Sequence, residues 1–524
     1  MIFITGPEGD AMSEAWSEGY FTDVGYTYGY FREINPVFLR FCLLLRGFVE
    51  PTSGTHSQHC ELGFGQGVSV NIHAAANPGH YVATDFNPAH AAHAQRLASA
   101  SGNGALLLDE SFEQLLARSD LPQFDSISLH GIWTWVSRDN HKVITEFARR
   151  HLKPGGVFYI SYNCFPGWAP AYPLRQLFAL HDRFGNTPHG AVERVEAALK
   201  FSQDLLAAQP NYLKLAPHLP ERLKKIAEEN RHYLAHEYFN REWNCMYFTD
   251  VVDVLTPAKL DWACSAVPLD AIDAVNLSQD ARSFLASVEH PLLREQARDY
   301  FVNQQFRKDI YLKGATRLSS GEQKERLLNT RFVLTKLVEQ IPLKVIGTAG
   351  EAQLQEELYK PFIHALAADA YAPKTLRVVI SHLPEMLWSH LLQILAVLVH
   401  LDAMAPCQSE EAQKQVEDQC KALNRHLCER SCYVNEIAYL ASPVTGGGFN
   451  LTRFQQIFLL ARESGKSTPQ DWAHFAWQHL DAQGQRLIKD GKTLETPEEN
   501  LHELNAQAVD LADKLPILKA LQLA

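Results

Sequence analysis

The segment Glu61-Leu62-Gly63-Phe64-Gly65-Gln66-Gly67 sets glycines at alternate positions behind an acidic residue. Glycine lets a backbone turn tightly and approach a ligand with no side chain between them. The G-x-G-x-G spacing is shorter than the dinucleotide fingerprint G-x-G-x-x-G, so the loop alone specifies a cradle and not its ligand. Asp85 follows about twenty residues later, where a carboxylate can accept from both hydroxyls of a ribose. Phe86 is next to it. Farther on, Asp109-Glu110-Ser111-Phe112 offers a polar edge and an aromatic face to an adenine. Either acid, Asp85 or Asp109, also suits a helix N-cap. Two aromatic segments complete the set: His130, Trp133 and Trp135, then Tyr162, Asn163, Phe165 and Trp168.

Such residues work together only if the fold collects them. From Ser57 the chain repeats a short apolar run, a turn and a helix-like stretch. The runs are His59–Leu62, Tyr81–Thr84, Ala105–Leu108, Ser126–Leu129 and Val157–Ser161. The helices between them are expected over Val68–Ala76, Pro88–Ala100, Ser111–Arg118 and Arg138–His151. Strands alternating with helices of this length imply a doubly wound α/β fold, Rossmann-like, with a parallel sheet. Ligands of such sheets bind beyond the carboxyl ends of the strands, near the point where strand order reverses. Every residue named above falls at a strand end.

These motifs carry a resemblance. Glu61–Gly67, Asp85, the fourth strand and the turn Leu152-Lys153-Pro154-Gly155-Gly156 resemble the motif series of class I methyltransferases. Leu129–Val136 (LHGIWTWV), Ser161–Trp168 (SYNCFPGW), Tyr26–Tyr30 with Asn35-Pro36, Tyr233–Tyr238 and Asn303–Asp309 (NQQFRKD) narrow it. They are similar to bacterial methyltransferases with a methyltransferase regulatory domain, a group that includes rickettsial protein-lysine methyltransferases. The likeness spans residues 20 to 320 well and the C-terminal third weakly. Two positions depart from the family: Phe64 replaces a small or polar residue, and Gln66 replaces an acidic one.

The resemblance implies S-adenosyl-L-methionine as cofactor. Its candidate ligands are Glu61, Gly63, Gly65, Asp85, Phe86, Asp109, Ser111, Phe112 and His130, with Tyr28 from an N-terminal lid. Alternating Tyr26, Tyr28 and Tyr30 also describe an ordinary edge strand. Transfer of a methyl group from a sulfonium is an in-line displacement that needs orientation above all. A lysine acceptor must first lose a proton, costing about 4–5 kcal/mol at pH 7 from a reference pKa of about 10.4. Desolvation in an aromatic pocket lowers that cost. Tyr162 and Asn163 are expected to hold the nucleophile, His130 to touch it or the methionine end of the cofactor, and Trp133 and Trp168 to wall the pocket. The alternatives are tryptophans packed under the sheet rim and a histidine satisfied in the core; His130 also has the pKa range of a general base.

Bulk properties bound the rest. A chain of 524 residues exceeds one core, and three domains are expected: 1–190 catalytic with the lid, 191–320 helical and regulatory or substrate-binding, 321–524 mainly helical. The formal charge of −12 argues against general nucleic-acid binding. No signal peptide is evident, and Met386–Leu401 is too short for a membrane span and reads as a buried helix. The nine cysteines form no CxxC pair, so buried thiols of a cytoplasmic protein are expected, with no metal site. His90 and His93 read as a solvated helix face, as do Arg307, Lys308, Lys313 and Arg317. Arg317–Glu325 reads as a linker, Gly446-Gly447-Gly448 as a turn, and His232–Trp243 as a polar-aromatic cluster over the cleft or between domains. A protein substrate is expected; a small molecule or glycan acceptor, or a scaffold without catalysis, is the alternative. The oligomeric state is not legible.

Overall fold

The computed structural model describes residues 27–185, 190–229, 231, 234, 237, 238, 240 and 242–524. Its centre is a seven-stranded sheet of order β3-β2-β1-β4-β5-β7-β6. Five strands run parallel: β1 (Gln58–Leu62), β2 (His80–Thr84), β3 (Leu106–Leu108), β4 (Phe124–Leu129) and β5 (Leu152–Asn163). They lie where the apolar runs placed them. β4 is buried along its whole length, although its sequence, FDSISL, alternates serine with Ile127 and Leu129. The crossovers are the helices Val68–Ala76, Pro88–Ser101, Phe112–Ala117 and Arg138–His151. Strand order reverses between β1 and β4, so the crevice opens beyond those two carboxyl ends.

The last two strands correct the expected boundary of the first domain. β6 (Leu260–Ser265) and β7 (Phe306–Lys313) come from the stretch expected to be a helical domain, and β7 runs antiparallel to β5 and β6. The sequence of β7, FRKDIYLK, looks like a solvent face because four of its eight residues are charged. Two of these pair inside the protein. Arg307, 4% exposed, reaches Asp309 at 2.7 Å, Asp299 at 2.5 Å and Glu295 at 2.9 Å. Tyr162 Oη and Trp262 Nε1 donate to the two Asp309 oxygens at 2.7 and 2.9 Å. One guanidinium thus serves three carboxylates, and burial lifts the Asp299 carboxyl to about 7.

Helices Tyr172–Phe184, Ala191–Ala207 and Leu219–Ile226 form an inserted module with its own apolar cluster, running from Trp168 to Trp243. Tyr26, Tyr233 and His236 lie outside the described residues. The C-terminal third is mainly helical but contains a small sheet, Lys374–Thr375, Arg331–Leu334 and Met404–Cys407, and short hairpins. Trp388–His400 is the buried apolar helix expected there. The Arg317–Glu325 stretch is no linker: Ser319 and Glu322 form a capping box that starts the Ser320–Asn329 helix. The long helix Glu410–Ser431 covers the helices after β1 and β2, with Gln408 Nε2 donating to Ala76 O at 2.6 Å. His90 and His93 are buried, against expectation, at 5% exposure each, His90 against Asp85 and His93 against Tyr28 and the Gln66 carbonyl. Cys420, Cys428 and Cys432 belong to that same apolar cluster. Among the described residues no helix is long and apolar enough to cross a membrane.

The ionic cluster gives a direct test. Arg307→Met leaves the buried Asp299 and Asp309 and the half-buried Glu295 without their cation, and we expect a loss of about 3–5 kcal/mol in denaturant unfolding at pH 8. The loss shrinks at pH 5, where the carboxylates can take up protons. A loss under about 1 kcal/mol at both pH values contradicts the cluster.

Candidate active site

A cavity of about 1110 Å³, counting its open mouth, lies where the strand order reverses. Its wall is built from five loops: Glu61 and Gly63–Gln66 after β1, Asp85 and Phe86 after β2, Glu110–Phe112 after β3, His130–Ile132 with Trp135 after β4, and Thr27, Gly29 and Phe31 from the N-terminal segment. The glycine loop has little slack. Gly63 is at φ +77°, and a Cβ there would lie 2.4 Å from Ile132 Cδ1. Gly67, at φ +74°, opens the following helix, and its Cβ would lie 2.3 Å from the Cβ of Ala94. A side chain at either position must push a neighbouring element away.

Asp85 ties the first two loops together. Its Oδ2 accepts from Gly65 N–H at 2.8 Å and its Oδ1 from Asn87 N–H at 3.0 Å, with His90 Nδ1 at 3.2 Å. It is not the cap of its helix; Asn87 is, and Ser111 caps the next. A carboxylate has about four lone-pair sites, so Asp85 can still accept from a ligand. Glu61 is different. Burial first, and the neighbouring Asp85 second, push its carboxyl up to about 8. Asp85 is the only charged group that acts on it among the described residues. A buried carboxyl that faces a cavity without a cation fits a ligand that brings one. Phe86, Phe112 and Ile132 supply apolar surface to a flat ring, and Ser111 and Glu110 polar atoms at its edge.

His130 stands at the end of β4. Its Nδ1 is 2.9 Å from Tyr159 Oη, and Phe31 stacks on its ring with centroids 3.9 Å apart and planes at 21°. Burial lowers its pKa to about 4, so it is neutral near pH 7. Glu33 and Lys308, paired at 2.5 Å, are the charged groups that act on it.

The N-terminal segment alternates. Thr27, Gly29 and Phe31 face the cavity, while Tyr28 packs edge-on against His93 and Tyr30 against His73 and Tyr439. The tyrosines hold this segment down from behind and do not line the cavity. Tyr30 is held by the C-terminal hairpin Tyr439–Asn450: a Cβ on Gly447 would lie 2.5 Å from its Oη. Of the triple glycine, expected as a turn, Gly446 lies in the turn, whereas Gly447 and Gly448 open the second strand of the hairpin and seat Tyr30.

Eight of the candidate residues meet at the cavity: Glu61, Gly63, Gly65, Asp85, Phe86, Ser111, Phe112 and His130. Six do not line it. Asp109 is exposed beside it, and Tyr28 faces His93. Trp133 is fully buried and stacked on His141 at 4.2 Å. Trp168 packs against Trp243 in the inserted module. Tyr162 is committed to Asp309 on the other face of β5. Asn163 is buried, its N–H donating to Thr134 Oγ1 at 2.8 Å. Both tryptophans thus take the packed arrangement. Phe31, Ile132 and Glu33 went unnoticed in the sequence; the alternation around Tyr28 and Tyr30 was the signal for Phe31. Among the described residues no group of three His, Cys, Asp or Glu could hold a metal ion.

Comparison with known proteins agrees with this geometry. Residues 60–158 match the model of a methyltransferase domain, and residues 230–313 that of a predicted methyltransferase regulatory domain. An uncharacterized protein of Synechocystis sp., sll1526, is 40% identical over 511 residues, covering 97% of this chain and 99% of its own. An uncharacterized protein of Rickettsia prowazekii, RP028, is 31% identical over 146 residues, 28% of this chain and 54% of its own. Among solved structures, PKMT2 from Rickettsia typhi in complex with AdoHcy superposes with a TM-score of 0.68 at 17% identity, covering 95% of this chain and 99% of that one.

Glu61 makes a prediction with a defined sign. Its folded-state pKa of about 8 lies above the ordinary 4.5. Its contribution to stability is therefore complete below pH 4.5 and is lost as pH rises through 8. Glu61→Gln, neutral throughout, should gain thermal stability relative to the parent protein as pH rises across that window. It should at the same time weaken binding of a cationic ligand. A melting-temperature difference that does not change with pH contradicts the assignment.

Proposed function

We propose, from the premise that this chain belongs to the class I S-adenosylmethionine-dependent methyltransferases carrying a methyltransferase regulatory domain, that it N-methylates lysine side chains of a protein substrate. The premise rests on the two family matches and on the full-length likeness to sll1526. The observation that carries the reading is Glu61, a buried carboxyl on which no cation acts among the described residues, facing a glycine-looped cavity across from Asp85.

When bound, S-adenosylmethionine supplies a methyl group activated by its sulfonium. The residues present fit it. Glu61 would take the α-ammonium, Asp85 a ribose hydroxyl, Phe86, Phe112 and Ile132 the adenine faces, and Ser111 the adenine edge. Gly63 and Gly65 let the backbone approach. PKMT2 of Rickettsia typhi, whose fold this chain shares, was solved in complex with AdoHcy.

The acceptor side supports an amine. Phe31 and Trp135 make it apolar, and His130 beside them is neutral. Such surroundings disfavour an ammonium and bring a lysine closer to its reactive neutral form. Positioning in a closed, oriented site supplies the rest of the rate. The inserted module and the C-terminal third would grip the protein substrate around the mouth, in a protein that works in the cytoplasm.

Calorimetric titration with S-adenosylmethionine and its demethylated product tests the reading. The parent protein should bind both. Asp85→Ala should stay folded and lose about 10- to 100-fold in affinity, the worth of hydrogen bonds to a charged group. A folded parent protein that binds neither compound, or an Asp85→Ala variant with unchanged affinity, overturns it.

A further inference from the structure

A chain of hydroxyls runs behind His130. Gly131 N–H donates to Ser161 Oγ at 2.8 Å. The Ser161 hydroxyl in turn hydrogen-bonds Tyr159, and Tyr159 Oη meets His130 Nδ1 at 2.9 Å. Tyr159 is completely buried and Ser161 also, so neither can turn to water. Each hydroxyl has one proton to give. Beyond that N–H, Tyr159 is the partner of the Ser161 hydroxyl among the described residues, so the Ser161 proton goes to Tyr159, which leaves the Tyr159 proton for His130 Nδ1. The hydrogen bond at one ring nitrogen sets the proton on the other.

We infer that Ser161 and Tyr159 are positioning residues that fix His130 as the Nε2–H tautomer, making it a neutral hydrogen-bond donor into the cavity and not a general base. Phe31 stacked on the ring keeps its plane, and the Glu33–Lys308 pair presents no net charge to it. The group this N–H meets must be an acceptor. β1 and β4 are neighbours, with Glu61 paired to Ser128 two residues before His130. A ligand whose ammonium sits on Glu61 therefore carries its adjacent carboxylate toward His130. This inference rests on the methyltransferase reading above: Glu61 and His130 would divide the amino-acid end of the cofactor between them.

The test is ¹⁵N-histidine NMR of the full chain, with the His130 signals identified by their loss in His130→Gln. The parent protein should show Nε2 protonated and Nδ1 bare, unchanged from pH 8 to about pH 5.5, as burial of the ring requires. In Tyr159→Phe the single tautomer should be lost. Affinity for S-adenosylhomocysteine should then fall about tenfold, while affinity for adenosine, which lacks the amino-acid end, stays within about twofold. Ser161→Ala, a smaller change, should shift the same two readouts in the same direction if Tyr159→Phe does not fold. Equal losses for both compounds mark a merely structural role and overturn the inference. A parent protein that binds both compounds with its ring protonated at Nδ1 overturns the relay alone. One that binds neither overturns the methyltransferase reading whichever tautomer is seen.

Discussion

A carboxyl group without a cation, buried at the end of the first strand, is the constraint around which the site is arranged. Burial makes ionisation of Glu61 costly, and Asp85 nearby makes it costlier. On the proposed reading, the rest of the cavity accepts a positive charge that the cofactor brings. Glycines at positive φ bring backbone close, Asp85 pins the loop through Gly65, and neutral His130 waits on the neighbouring strand. A site whose charge balance closes only on binding discriminates in favour of a cationic ligand before any shape is read.

The roof of the cavity depends on the opposite end of the chain. Phe31 lines the cavity while its neighbour Tyr30 is seated on Gly447 and Gly448 of the C-terminal hairpin. Asn77 and Asn35 tie that hairpin down through Gly446 O at 2.6 Å and Thr445 O at 3.1 Å. The C-terminal third is thus part of what fixes the N-terminal segment over the cavity. It also buries the outer faces of the two helices that follow β1 and β2.

Much of this was legible in the sequence. All five parallel strands and their four crossover helices were, because short runs bounded by turn residues alternate regularly with longer helix-like stretches. The glycine loop and its two acids, Glu61 and Asp85, were legible because backbone conformation and strand ends restrict which residue types work there. β6 and β7 were not. Arg307 and Asp309 disguise β7 as a surface segment, and only tertiary pairing makes those charges compatible with a core. The acceptor side was legible in composition but not in direction: a strand sends successive side chains to opposite faces, and Tyr162 points away from the cavity to Asp309. The buried His90 and His93 show the same limit, since His90 packs on Asp85 of the preceding strand end and His93 is covered by Tyr28 of the N-terminal segment.

The most direct test of the account is transfer of a labelled methyl group from S-adenosylmethionine to a lysate, followed by separation into protein and small-molecule fractions and acid hydrolysis of the protein. The account predicts label in the protein fraction, recovered as N-methyl-lysine and lost when Asp85 is replaced by Ala. Label confined to small molecules, or recovered in protein on a residue other than lysine, would contradict it.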